Sequence, residues 1–291
     1  MRLGIVTPVV TLLPRAHGPW ERDAGLEEIA AVAEAADRLG YHHLTCSEHV
    51  AVPRDVAEVR GARYWDPLAT FGYLAACTTR IRLATHVLVL GYHHPLEIAK
   101  RYGTLDRVCG GRLILGVGVG SLREEFELLG APFDDRGARA DEALRALRAS
   151  LSRPEPAYDG AHIRYDGFVV DPCSVQHHVP IWVGGRTARS LRRAVDLAEG
   201  WTPFGLRPEQ IGPMLERARS SPQWEERATP LEVVLAPERA LDPAEDPERA
   251  RQIARELIDV GATVLNLRFV SQSLDHYREQ LEAMAGLGSD L

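Results

Sequence analysis

A closed parallel barrel of eight strands, each followed by helical chain, is the fold the sequence predicts. Three observations lead there. Short apolar runs alternate with amphipathic stretches along the whole chain. Four times a helical stretch closes on glycine just before an apolar run, at Leu39-Gly40, Cys109-Gly110, Glu199-Gly200 and Val260-Gly261. That recurrence marks the left-handed end of an αβ unit. No linker or low-complexity segment divides the 291 residues, so one domain over 1–291 is expected. A doubly wound open sheet fits the same alternation and is the competing architecture.

The elements read in order as follows. Arg2 to Thr7 suits a first strand. Leu26 to Leu39 suits a helix, with Ile29, Val32, Ala33, Ala36 and Leu39 at helical spacing. His43 to Ser47 is the second strand. Asp66-Pro67 supplies an N-cap and a proline at the first helical position. Ile81 to Leu90 reads as a third strand, long enough to expect a bulge. Pro95 opens a helix ending at Gly110-Gly111, and Leu113 to Val117 is the fourth strand. Helical chain follows from about Arg123 to Leu151. Strands five to eight fall at Ile181–Val183, Trp201–Phe204, Leu231–Ala236 and Thr263–Phe269, and a last helix at Leu274–Leu287. Two stretches break the rhythm, Ala51–Trp65 and Arg153–His178. The second reads as an inserted hairpin, with Asp159-Gly160 as its turn, lying over the barrel mouth.

Composition removes several function classes. The net charge of −7 gives no basic footprint for nucleic acid. No apolar run reaches membrane-spanning length, and Met1 leads straight into a strand, so no signal peptide and a cytoplasmic location are expected. Cys46, Cys77, Cys109 and Cys173 form no Cys-x-x-Cys pair and read as reduced, buried thiols. The 11 histidines include the adjacent pairs His42-His43, His93-His94 and His177-His178. Adjacent strand residues face opposite ways, and no metal-ligand spacing occurs, so no metal is expected.

Three segments carry candidate chemistry. In Val179–Trp201, Gly184-Gly185 stops an apolar run and Arg186-Thr187 opens a helix. Glycines admit a ligand to the backbone, and free N–H groups at a helix start suit a phosphate or carboxylate. The same turn also serves as a plain strand-to-helix connection capped by Thr187. Ser47-Glu48-His49 ends the second strand, where side chains face the mouth. A histidine there exchanges protons near neutral pH and an adjacent carboxylate tunes it, though a capping and packing pair is the commoner use. In Thr85–Pro95, His86 and Tyr92 are placed to line a ligand, or to line a buried strand and its exit loop. Gly116-Val117-Gly118-Val119-Gly120-Ser121 departs from the dinucleotide fingerprint at its third glycine.

Several segments occur together and in order. They are Tyr64-Trp65-Asp66-Pro67, Arg80–Thr85, His94–Lys100, Thr104–Arg107, Gly110–Gly120 and Pro180–Gly185. As a set they resemble the bacterial luciferase-like monooxygenase superfamily, in particular its branch dependent on the deazaflavin coenzyme F420. The resemblance covers about two-thirds of the chain and weakens over the last third. It implies a TIM-like barrel with a flavin-type ring in the mouth. It places His49 by the reactive face of the ring with Glu48 beside it, and a non-proline cis peptide near His86-Val87, with Thr85-His86 as the alternative. Thr85, His86 and Val87 would support the ring. Gly118, Gly120 and Ser121 would line the cofactor channel, and Gly184, Gly185, Arg186 and Thr187 would hold the phosphate. Tyr64, Trp65 and Tyr92, with the insertion near Tyr165 and Phe168, would face the substrate. Gly91 stands where many relatives carry proline. The motif wording and the arginine-rich composition favour coenzyme F420 over FMN, and a homodimer through the early helices is implied. An FMN-dependent monooxygenase, a non-catalytic flavin-binding barrel and a metal-dependent lyase or hydrolase on the same barrel are the alternatives.

Overall fold

The computed structural model describes residues 1–14, 16–288 and 291. The chain begins with β1 (Arg2–Val6), α1 (Leu26–Arg38), β2 (His43–Cys46), α2 (Arg54–Arg60) and α3 (Pro67–Cys77). It continues through β3 (Arg82–Thr85), β4 (Leu88–Val89), α4 (Pro95–Val108), β5 (Leu113–Gly118), α5 (Arg123–Leu128) and α6 (Arg136–Ser150). A small hairpin follows, β6 (Tyr158–Asp159) with β7 (Arg164–Tyr165). Then come β8 (Ile181–Gly184), α7 (Ala188–Leu197), β9 (Gly200–Thr202), α8 (Pro208–Arg219) and α9 (Pro222–Glu225). The chain ends with β10 (Glu232–Leu235), α10 (Pro247–Val260), β11 (Val264–Leu267) and α11 (Leu274–Gly288).

The parallel strands close into a ring in the order β1, β2, β3 with β4, β5, β8, β9, β10, β11 and back to β1. This is the eight-stranded barrel the alternation predicts. The expected single third strand is two pieces, because the His86–Val87 peptide is cis and interrupts it. Both pieces pair with β5.

Two apolar regions hold the barrel. The larger fills the space between strands and helices; α1, for example, buries Ile29, Val32, Ala33 and Ala36 on one face. The smaller plugs the barrel interior with Ala84, Ile114, Trp182, Val234 and Val264. The Trp182 indole donates to Glu232 at 2.7 Å, and the same carboxylate pairs with Arg2. The site therefore lies above this plug, at the C-terminal ends of the strands.

Two helix ends follow sequence chemistry closely. Asp66 Oδ1 accepts from the Ala69 N–H at 2.8 Å and starts α3. Gly40 ends the first αβ unit at φ +81°. Gly200 departs from expectation. It opens β9, and α7 has already stopped at Leu197. A Cβ at Gly200 would lie 2.3 Å from the Trp182 ring, so close packing requires glycine there.

The hairpin insertion also lies elsewhere than expected. Glu142 on α6 accepts from the His162 and Ile163 N–H groups, both at 2.8 Å. Asp106 on α4 accepts from Val175 and Gln176, both at 3.0 Å. The insertion thus packs on the outer sides of α4 and α6, not over the mouth. Tyr165 is buried, with its hydroxyl against Ser150 and the Ala146 carbonyl, and Phe168 is exposed. The earlier interruption, 51–65, does sit at the mouth.

Candidate active site

His49 follows β2 and is half-buried. Its Nδ1 lies 2.7 Å from Oε2 of Glu125, on α5. Glu125 is 1% exposed and accepts three more hydrogen bonds: Tyr92 Oη on Oε2, and the Val50 and Ala51 N–H groups on Oε1. Burial works against the Glu125 charge, but the bonds from His49, Tyr92 and Ala51 outweigh it and lower its pKa. An ionised carboxylate only accepts, so Nδ1 of His49 carries the proton. Nε2 of a neutral His49 is then an acceptor, with no partner among the described residues. Tyr64 packs edge-on against the His49 ring at 4.5 Å between centroids and donates its hydroxyl to the Arg60 carbonyl.

Glu48 is not the carboxylate partner of His49. Its Oε1 meets His93 Nε2 at 2.7 Å, and its Oε2 accepts from the Val89 N–H at 2.6 Å. Burial lowers the proton affinity of His93, but the Glu48 hydrogen bond and charge raise it further, so its pKa is net raised. Glu48 thereby fastens β4 to the exit loop. The Tyr92 hydroxyl, expected to face substrate, is committed to Glu125; burial and that carboxylate keep its proton on. Trp65 packs partly into the core, and its carbonyl accepts from the Cys46 thiol.

The cis His86–Val87 peptide falls where the resemblance places one. Both residues are half-buried. His86 Nε2 lies 2.8 Å from Thr202 Oγ1, and the Ser47 hydroxyl donates to the His86 carbonyl at 2.8 Å. Burial, then the Arg268 charge, push the His86 pKa down to about 4, so it is neutral at pH 7. A Cβ on Gly118 or Gly184 would come within 2.6 or 2.7 Å of the Val87 side chain. The two glycines thus flank Val87 on neighbouring strands. Thr85 is fully buried and donates to the Gly116 carbonyl at 2.7 Å, which seals it away from the mouth.

Farther round, Gly120 has φ +77° and would meet the Phe126 ring at 2.5 Å if it carried a Cβ. Ser121 is exposed and accepts from Arg60 at 3.1 Å. At the start of α7, Thr187 Oγ1 accepts from the Ser190 N–H and Ser190 Oγ accepts from the Thr187 N–H, both at 3.2 Å. This reciprocal cap leaves the N–H groups of Ala188 and Arg189 for solvent or a ligand. Arg186 is exposed, its guanidinium 5.8 Å from the Phe204 ring centre. Gly185 has φ +134°, and a Cβ there would press on Ser190 at 2.7 Å. Its glycine is required by the turn itself.

The structure thus brings together His49, Tyr64 and Tyr92 around Glu125, a residue the sequence reading did not single out. His86 and Val87 form a separate shelf between Gly118 and Gly184. No group of three or more His, Cys, Asp or Glu side chains suited to a metal ion occurs among the described residues.

The mouth of the parallel eight-stranded barrel thus carries a histidine–carboxylate pair, His49 after β2 and Glu125 on α5. The family follows from direct matching: the model for luciferase-like monooxygenases matches residues 1–290, and the chain belongs to that family of oxidoreductases. The uncharacterised protein Rv0953c of Mycobacterium tuberculosis is 32% identical over 185 residues, covering 59% of this chain and 66% of that relative. Among solved structures, monooxygenase RslO1 from Streptomyces bottropensis superposes with a TM-score of 0.78 at 22% identity, covering 98% of both chains. The coenzyme F420-dependent tetrahydromethanopterin reductase of Methanopyrus kandleri does so at 0.72 and 16% identity, covering 97% of this chain and 98% of that one.

Proposed function

We propose that this protein is a cytoplasmic oxidoreductase that moves a hydride between coenzyme F420 and a small organic substrate. The observation that carries the reading is the His49–Glu125 pair, with Nδ1 protonated and Nε2 left as an acceptor. His49 takes up or returns the proton that accompanies the hydride, and Glu125 fixes its tautomer. Bound in the mouth, a deazaflavin supplies the hydride-transfer chemistry. The residues present suit such a ring. Val87 offers an apolar surface braced by Gly118 and Gly184, and neutral His86 offers an uncharged polar edge. Arg186 and the uncapped N–H groups of Ala188 and Arg189 suit its phosphate. The Methanopyrus neighbour is named for coenzyme F420, which is consistent with this choice.

Parallel fluorescence-quenching titrations with coenzyme F420 and FMN test the reading. Tighter binding of F420, with turnover that consumes no oxygen, supports it. Tighter binding of FMN with oxygen consumption makes the protein a flavin monooxygenase instead. Cofactor binding without turnover on any substrate panel makes it a carrier. The protein also forms a homodimer in this reading, with α3 as the contact. That helix carries no charged side chain and leaves Ala69, Tyr73 and Ala76 exposed.

A further inference from the structure

Arg268 follows directly on β11, at the mouth end of the last barrel strand. Asn266, two residues earlier, is 1% exposed, and Val264, two before that, belongs to the cluster that plugs the barrel interior. Side chains two apart on a strand share a face, so Arg268 continues the inward row one layer higher, into the mouth. It is half-buried. Its electrostatic neighbours are Glu21, whose charge it feels, and His86, whose protonation it opposes.

Glu21 offsets part of its charge without forming an ion pair, and His86 offsets none. His86 is uncharged at pH 7. Glu21 is taken up by the loop after β1, accepting from the Val9 N–H at 2.8 Å and the Gly18 N–H at 2.6 Å. Among the described residues, the Arg268 guanidinium forms no ion pair and no hydrogen bond. The contrast with other enclosed arginines is informative. Arg112 spends its donors on Cys109, Thr78, Ile81 and Ala75, and Arg193 pairs with Asp141. A guanidinium presents five donors, and those of Arg268 stay uncommitted to the protein while still open to solvent at the mouth, where a ligand could take them up. Such a group is arranged for a ligand.

Its place in the ring says which ligand. β11 lies opposite β5 and three strands from β8, which leads to the α7 turn proposed for the cofactor phosphate. Arg268 therefore faces the mouth away from the α7 turn, though close enough to His86 to act on its charge. We propose that Arg268 is the anion-recognition residue of the substrate subsite, and that the substrate presents an ionised oxygen, a carboxylate or a phenolate, to it. This rests on the reading of the mouth as the substrate site, but its test needs no turnover, and it uses F420 and FMN only as competitors.

The test is ligand-observed NMR with benzoate and with benzamide, its neutral counterpart of like shape, on cofactor-free protein. Wild type should bind benzoate at least about tenfold more tightly than benzamide, as loss of one hydrogen bond to a charged group implies. Arg268→Gln should abolish that preference, and Arg268→Lys should keep part of it. Equal binding of both probes to wild type, or an undiminished preference in Arg268→Gln, overturns the proposal. So does displacement of benzoate by saturating F420 or FMN, since the anion site would then belong to the cofactor. Benzoate that stays bound beside a saturating cofactor, with its preference lost in Arg268→Gln, supports the substrate assignment.

Discussion

At the scale of single residues, the site turns on which carboxylate holds His49. Glu48 is adjacent in sequence and was the natural partner to expect; the actual partner, Glu125, is 76 positions away. In the sequence Glu125 sits in Arg123-Glu124-Glu125, which reads as the acidic first turn of a solvated helix. Only the closing of the barrel carries α5 to the end of β2, so no local pattern could have shown the pair. Arg268 was hidden for the same reason. The length of the third apolar run showed only that a bulge was due there; the His86-Val87 position came from the family resemblance. His49→Ala should slow turnover by roughly 10²–10⁴-fold, the usual contribution of a general acid or base. Steady-state kinetics with a parallel cofactor titration check this; equal losses in rate and cofactor affinity would make His49 a binding residue. Glu125→Gln keeps the shape but removes the charge, so its turnover should fall while cofactor affinity stays near wild type. If Glu125→Gln turns over normally, the carboxylate only anchors the 50–51 loop.

At the scale of elements, most boundaries were readable because caps and periodicity are local. Asp66-Pro67, Gly40 and Thr187 each act where the residue type alone suggests. Gly200 misled because glycine before a strand looks the same whether it ends a helix or makes room for the Trp182 ring. Asp37 shows a longer-range tie. It sits at the end of α1 and accepts from the N–H groups of Thr79, Arg80 and Ile81 at 3.0, 2.8 and 2.6 Å, fixing the entry to β3. Burial works against its charge, but these bonds outweigh it and lower its pKa in the folded protein. A lowered folded pKa means the stabilisation is complete above the ordinary aspartate range of about 4 and is lost as pH falls through the folded value. Asp37→Ala should therefore destabilise by about 1–3 kcal/mol at pH 7. Urea unfolding at several pH values should show that difference shrinking in acid; a pH-independent difference would contradict the assignment. Thr187→Ala should cost about 1 kcal/mol through the lost cap of α7, measured in the same way.

At the scale of the whole molecule, the proposed function divides the work between sectors of one mouth. In that proposal β2 and α5 supply the proton-handling pair, β3 to β5 and β8 the shelf, and the start of α7 an anion turn. The outer helices serve assembly in this account, and Tyr73→Glu on α3 should convert a dimer to a monomer by light scattering; an unchanged mass would exclude α3 as the contact. The division between His49 and the α7 turn is the central claim. Gly185 is a poor probe of it, because any side chain there disturbs the Ser190 cap. Arg186 is exposed and makes no hydrogen bond among the described residues, so Arg186→Ala is the cleaner change. The most direct measurement is a fluorescence-quenching titration of coenzyme F420 against wild type, His49→Ala and Arg186→Ala. The account predicts near-wild-type affinity for His49→Ala and roughly ten- to hundredfold weaker binding for Arg186→Ala, the loss of one charged hydrogen bond. Loss of binding in His49→Ala with normal binding in Arg186→Ala would contradict it.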